Sequence, residues 1–382
     1  MSVTKPAFAK AAAVSLGLLL LAAALLFSRA TVVHGASNPP AAWSPQTAAH
    51  YLDDREIWWQ KWPRAQKDHG TVCISCHTQL PYAMVRPALE RELGETAMNP
   101  AEKTMMDSIE KRVNGWADMA PFYSDAKNGV GKTAEAQATE AVLNATILAS
   151  FDAAHGNLRP VTRTAYANLW ALQEETGDLA GAWKWQNFHL GPWEGAESGY
   201  QGAALLLIET LNAPDGFARE PAVCAHLDRL ADYLRREYSA QPPVNQLYVL
   251  WASARRPGLL TATERKALLQ TIRSRQQSDG GWLTMALDER ERIDHSPEPT
   301  DSDGYATGLA VLALEASGTP RADPSVARGL AWLANHQEKD GVWTGSWNAL
   351  SINKKRDPQS DPGPFMRDAA TAYAILALEN RH

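Results

Sequence analysis

A repeat constrains this chain more than any other feature. Ala306-Thr307-Gly308-Leu309-Ala310-Val311-Leu312-Ala313-Leu314-Glu315 realigns, 64 residues on, with Ala370-Thr371-Ala372-Tyr373-Ala374-Ile375-Leu376-Ala377-Leu378-Glu379, and seven of the ten positions are identical. Self-similarity at a fixed period marks an array of like units, each burying its apolar face only against its neighbours. Similar small-and-aliphatic stretches occur at residues 138–150, 199–211 and 244–254. They are apolar nearly all round, as helices buried on every side must be. Between them lie amphipathic stretches at 221–237, 263–275 and 324–336. Fully buried helices alternating with half-exposed ones predict two concentric rings, an all-α toroid over residues 132–382.

The repeats carry a second mark. Gln276-Gln277-Ser278-Asp279-Gly280-Gly281-Trp282 and Gln337-Glu338-Lys339-Asp340-Gly341-Val342-Trp343 both fit Q-x-x-x-G-x-W, and Gln173…Gly181-Ala182-Trp183 is a copy with four extra residues. The glycine frees the turn after an outer helix, and the Gln and Trp tie that turn to its neighbour. These stretches resemble the QW motifs of squalene–hopene and oxidosqualene cyclases, whose α/α toroid is shared with protein prenyltransferase β-subunits. The motif is structural in those families, so it predicts the fold and not a catalytic residue.

A different chemistry is written at Val72-Cys73-Ile74-Ser75-Cys76-His77. Two thiols three residues apart, followed at once by a histidine, make the C-x-x-C-H attachment site of a c-type haem. In that reading Cys73 and Cys76 each form a thioether with one vinyl group of a single covalent haem c, and His77 ligates the iron. A redox C-x-x-C normally opens a helix after a β-strand, and no β-rich run precedes Cys73. A structural zinc site normally brings a second spaced ligand pair, and none follows; His69 with His77 is the nearest combination. A sixth iron ligand is expected from the same helical segment, residues 51–131. Met119 is the preferred candidate among Met84, Met98, Met105, Met106 and Met119. It lies 42 residues beyond His77 in Asp118-Met119-Ala120-Pro121, resembling the methionine–proline loop of small cytochromes c.

Compartment bears on this reading. Lys5 and Lys10 precede a 17-residue uncharged run, Ala11 to Phe27, followed by Ser28-Arg29-Ala30. Residues 1–36 therefore read as a signal peptide or an uncleaved membrane anchor, with a Pro- and Ala-rich linker over 37–50. Either alternative puts the remainder outside the cytoplasm, in the periplasm, where the resemblance to cytochromes c implies that haem is attached. With a net charge of −6 and no long basic run, nucleic acid is excluded as a partner. Only three cysteines are present, so this is no disulfide-stapled fold; Cys224 reads as a free thiol. The partners expected are a redox protein or a small ligand.

In a toroid of this kind the inner helices run parallel, and their N-termini open on one rim. Three long loops feed it, at residues 183–198, 282–303 and 343–368, and their aromatic and ionisable content makes the rim the default binding surface. Asp301-Ser302-Asp303-Gly304-Tyr305-Ala306-Thr307 faintly resembles the D-x-D-D-T-A motif with which triterpene cyclases protonate an isoprenoid, but Gly304 replaces the third aspartate. Asp303 also stands where a helix N-cap belongs, as do Ser198 and Asp368 before their own helices. Prenyltransferase-type zinc is disfavoured, because Ala369-Ala370 falls where the histidine ligand would stand. The expected function is an exported c-type haem protein, in electron transfer or haem-based ligand sensing, with the toroid as partner or ligand-binding domain. The alternatives are an isoprenoid cyclase-type enzyme using Asp301 and Asp303, or a non-catalytic toroid binding a lipid or protein at its rim.

Overall fold

A computed structural model describes residues 1–2, 43–123 and 129–379, so nearly all of the export segment lies outside the described residues. Trp43–His382 form one compact unit. Among the described residues, the chain makes six outer–inner helical hairpins in sequence order. The outer helices are α1 (Pro45–Lys61), α3 (Pro100–Asn114), α5 (Pro160–Trp170), α7 (Pro221–Glu237), α9 (Ala262–Ser274) and α12 (Pro324–Asn335). Their inner partners are α2 (Gln79–Leu93), α4 (Gly129–His155), α6 (Ser198–Asn212), α8 (Pro243–Ser253), α11 (Gly304–Ala316) and α13 (Phe365–Glu379), with a short α10 (Thr284–Asp288) before α11. The inner helices pack in the cyclic order α2, α4, α6, α8, α11, α13 and back to α2. That is the all-α toroid expected from the repeats. Among the described residues the only strands are β1 (Gln66–Lys67) and β2 (Thr71–Val72), a small antiparallel ribbon leading into the C-x-x-C-H stretch.

The burial patterns explain the ring. Every residue from Gly304 to Glu315 in α11 is buried, so this helix has no solvent face, whereas α7 buries only Val223, Leu227, Leu230, Ala231, Tyr233 and Leu234 along one stripe. Tyr248, Tyr305 and Tyr373, from three successive inner helices, meet inside the ring. The Tyr248 hydroxyl is 2.7 Å from that of Tyr305 and 2.8 Å from that of Tyr373. Buried phenols need such partners.

The ring does not begin at residue 132. Without α2 of the 51–131 segment the inner circle would stay open, and α1 and α3 are two of its outer helices. The 51–131 segment, expected to be a helical unit apart from the toroid, is thus part of the ring. α2 gives little sign of being an inner helix because it carries Arg86, which is fully buried beside Asp53 and Glu95.

The glutamine–tryptophan turns close the circle. Gln276 Nε2 donates to the carbonyls of Gly280 and Ser325, both at 2.8 Å, and the Trp282 indole donates to Ile272 O. Gln173 bonds in the same way to Gly181 and His226, and Trp183 to Leu169. The third copy is not the one apparent in sequence. Gln337 Nε2 donates to Gly345 O at 2.9 Å, and the fully buried indole of Trp347 donates to Leu333 O at 2.8 Å. Gly341 and Trp343 instead form a half-exposed turn. The working copy is therefore Gln337…Gly345-Ser346-Trp347, with the same four extra residues as Gln173…Trp183. Gly345 has φ +91°, and a Cβ there would lie 2.1 Å from Thr47 O on α1; only glycine permits that approach. Gln337 also exchanges hydrogen bonds with Ser44, donating to its carbonyl and accepting from its N–H. This repeat thus locks onto the N-terminus of α1.

Candidate functional site

The C-x-x-C-H stretch forms the entry to inner helix α2. Ser75 Oγ accepts from the N–H groups of Thr78 and Gln79, which satisfies two orphan donors at the helix start. α1 holds the stretch from the side, the Trp59 indole donating to Cys73 O at 2.9 Å. Cys73, Cys76 and His77 then face a cavity of about 460 Å³ on the ring's rim, within the usual size of a ligand or cofactor site. Its walls are Trp59, Trp62, Phe122, Trp193 and Phe365, with Arg64, Lys67, Glu140, Glu194 and Arg356 as charged members. Two of the three rim loops contribute, through residues 186–194 and 351–366. The third, 282–303, does not.

His77 is held on several sides. Its ring stacks on Phe365, with centroids 3.8 Å apart and 19° between planes, and meets Trp59 edge-on at 5.3 Å. Nδ1 lies 3.0 Å from Thr78 Oγ1, and that hydroxyl donates to Asp368 Oδ2 at 2.8 Å. A carboxylate only accepts, so the single hydroxyl proton is committed to Asp368 and the Thr78 oxygen accepts from Nδ1–H. Nε2 is then the unprotonated nitrogen. Burial, with Arg55 and Arg356 nearby, lowers the His77 pKa to about 3, so the imidazole is neutral, the form that binds metals. Burial raises the Cys73 thiol to about 11 and pushes Cys76 well above its ordinary range. A redox or nucleophilic cysteine needs the opposite shift, which argues against the thioredoxin-like reading. Among the described residues no group of three or more His, Cys, Asp or Glu could hold a metal ion. His69 is exposed, its Nε2 3.3 Å from Asp118 O, well apart from a zinc-like cluster.

These residues suit a haem: two neutral thiols, a neutral imidazole with Nε2 free, and aromatic walls around them. Met119 is buried with Phe122 and Ala136 in a small cluster. Both of those line the cavity, but Met119 does not; the methionine in the lining is Met366. Asp301 and Asp303 lie at a second cavity, of about 150 Å³, formed with Thr284, Met285, Glu298 and Ile352. Asp303 caps α11: Oδ1 accepts from Ala306 N at 2.9 Å and Thr284 Oγ1 at 2.8 Å, and Oδ2 from Thr284 N at 2.7 Å. Burial raises its pKa to about 6, against the pull of those donors. The two positions read as matching caps are not caps. Ser198 is the first residue of α6 and accepts from Gly195 N, and Asp368 lies in the first turn of α13 with its carboxylate turned to Thr78, Tyr51 and Arg55.

The repeat geometry has a counterpart among known proteins. Residues 244–351 match the squalene-hopene cyclase C-terminal domain. A squalene–hopene cyclase of Zymomonas mobilis subsp. mobilis is 32% identical over 108 residues, which is 26% of this chain and 16% of that enzyme. One of Schizosaccharomyces japonicus is 42% identical over 86 residues, 20% of this chain and 13% of that enzyme. The similarity thus spans under a fifth of either relative. The stretch matching the cyclase domain contains Asp301 and Asp303, yet only Ser351 of the main cavity. Cys73, Cys76, His77, Trp193 and Phe365 all lie outside it.

Sequence reasoning did not find that Phe365, Trp193, Glu194 and Arg356 share a cavity with His77, nor that Asp368 lies behind it. Two signals were present: the aromatic edge Trp58, Trp59 and Trp62 on α1, and the chemical richness of the rim loops. Only closure of the ring brings residues 73–77 beside residues 351–368.

Proposed function

We propose that this protein is an exported c-type haem protein whose haem sits in the rim cavity, serving electron transfer or the sensing of a small ligand. The observation that carries the reading is that Cys73, Cys76 and a neutral His77 with Nε2 free share one aromatic-walled cavity. When bound there, haem would supply a one-electron couple and an iron position for a ligand. Cys73 and Cys76 would anchor it by thioethers, and His77 would ligate through Nε2. Phe365 and Trp59 fix the imidazole plane, while Arg64, Lys67 and Arg356 offer positive charge to the propionates. Burial between aromatic rings excludes water, a lever on haem potential. Met119 as the sixth ligand rests on its place in the sequence alone.

A second reading is favoured by the comparisons, which speak for cyclases and do not bear on haem. In it the chain is an isoprenoid cyclase-type enzyme with Asp303 as the protonating acid. Its support is the matched domain and the raised Asp303 pKa. Against it stand the three donors that already engage the two carboxylate oxygens and the size of the adjoining cavity. A volume of 150 Å³ suits a ligand about as large as benzene, far smaller than a polyprene. A third reading, a lipid- or protein-binding toroid, has no observation of its own.

One preparation tests both main readings. The full chain, expressed with its N-terminal segment in a host carrying cytochrome c maturation machinery, should gain one haem mass that survives denaturation and a c-type visible spectrum. It should leave squalene and shorter polyprenes unchanged. An unmodified mass from that host would overturn the haem reading, and cyclised products would establish the second.

A further inference from the structure

Behind His77 lies a set of buried polar groups that anchoring a haem does not itself require. Thr78, 2% exposed, joins His77 Nδ1 to Asp368, 1% exposed. The Asp368 carboxylate also accepts from the Tyr51 hydroxyl at 2.7 Å and from Arg55, Nε to Oδ1 at 2.8 Å and Nη2 to Oδ2 at 3.1 Å. The four groups come from three elements: Tyr51 and Arg55 from α1, Thr78 from the entry to α2, Asp368 from α13. Only the closed ring sets these helices side by side.

We propose that Asp368, acting through the Thr78 hydroxyl, is a positioning residue that fixes the tautomer and donor strength of His77 as an iron ligand. The proposal rests on the haem reading and adds a specific device to it. A ligating histidine that gives its second N–H to an acceptor is held in one orientation and made a stronger base, and loss of such outer partners commonly costs 10–100-fold in metal affinity or activity. Here the acceptor is a hydroxyl polarised by a carboxylate, so the ring gains anionic character without touching the charge. Arg55 neutralises part of that charge, which keeps the effect below that of a bare carboxylate. A more basic imidazole favours ferric over ferrous iron.

Thr78→Val removes the hydroxyl while leaving size, branching and the Asp368–Arg55–Tyr51 contacts in place. The expected result is about a tenfold shift of the ferric-to-ferrous ratio toward ferrous at fixed poise, equivalent to about 59 mV for one electron. The iron–imidazole stretch of the reduced protein, read by resonance Raman, should fall in frequency. Thr78→Ser should restore both values. Should Thr78→Val fail to mature, Asp368→Asn, which keeps an acceptor and loses the charge, should move both readouts in the same direction. A purely structural role for the cluster would alter unfolding but neither readout. Haem-loaded Thr78→Val with an unmoved potential and stretch overturns the relay alone. Wild-type protein without haem overturns the haem reading, and the relay with it.

Discussion

Asp303 separates a structural carboxylate from a catalytic one, and the hydrogen bonds let the cost of removing it be worked out. Three donors converge on it: Ala306 N, Thr284 N and Thr284 Oγ1. As a plain N-cap its loss would cost about 1 kcal/mol. The backbone N–H of Thr284 is buried as well, and leaving such a donor unpaired costs roughly 1–3 kcal/mol; the hydroxyl can rotate to another acceptor and adds less. Asp303→Ala should therefore lower unfolding stability by about 2–4 kcal/mol. Asp303→Asn keeps one oxygen but turns an NH₂ toward one of the backbone donors, so it should cost about 1–2 kcal/mol, although asparagine alone caps a helix about as well as aspartate. The assay is urea unfolding of both variants with the slope checked against wild type, so that a shifted midpoint reports stability. An Ala variant within 1 kcal/mol of wild type would refute the reasoning, because the Thr284 donors would then have found other partners. Burial raises the Asp303 pKa to about 6, while its three donors favour the ionised form that caps the helix. Cyclised squalene from wild type, lost in a folded Asn variant, would make Asp303 catalytic all the same.

Other expectations test the junction, the ligand set and the buried charges. Arg112 on α3 grips Glu140 on α4 at 2.6 and 2.8 Å and donates to Thr71 at 2.8 Å; Arg112→Met strands a buried carboxylate beside the cavity and should cost about 3–5 kcal/mol by the same unfolding assay. Met119→Ala should lower stability by about 2–3 kcal/mol, at the low end for a buried methionine, and leave the visible spectrum of haem-loaded protein unchanged; a moved potential would instead identify Met119 as the sixth ligand. Burial raises Glu56, Glu194 and Glu209 from 4.5 to about 7, so between those values the folded state binds more protons than the unfolded one, and stability falls as pH rises. His77, lowered to about 3, acts oppositely, since the unfolded state binds its proton below about 6.5. Three carboxyls outweigh one imidazole, so apo-protein should unfold at a lower urea midpoint at pH 7 than at pH 5, by about 1.4 kcal/mol per pH unit for each uncompensated group. A flat profile would show that these carboxyls are already ionised in the fold.

The fold was legible where burial leaves a one-dimensional trace. An inner helix has no solvent face, so α11 and α13 read as unbroken apolar runs, and outer helices such as α7 and α12 show their stripe. α2 escaped because its core position is shared with Arg86 and two prolines, which break that trace. The third glutamine–tryptophan turn is hidden in the sequence for a related reason. Gly341-Val342-Trp343 fits the spacing, but only Gly345 sits where α1 comes within a Cβ's reach, and no local pattern marks the approach of a helix almost 300 residues away. Asp368 likewise looked like a cap from its position before an apolar run, whereas its partners Tyr51, Arg55 and Thr78 lie 290 residues or more up the chain.

By itself, then, the sequence determined the all-α repeat and the contiguous C-x-x-C-H set of two thiols and an imidazole, since helical periodicity is a local consequence of which faces must leave water. The tertiary structure alone decided where that chemistry sits. Joining α13 to α2 stacks Phe365 on His77, sets Asp368 behind it, and folds residues 186–194 over the thiols. Such contacts depend on how the ends of a ring meet, and ring closure is a property of all six hairpins together, written in none of them singly.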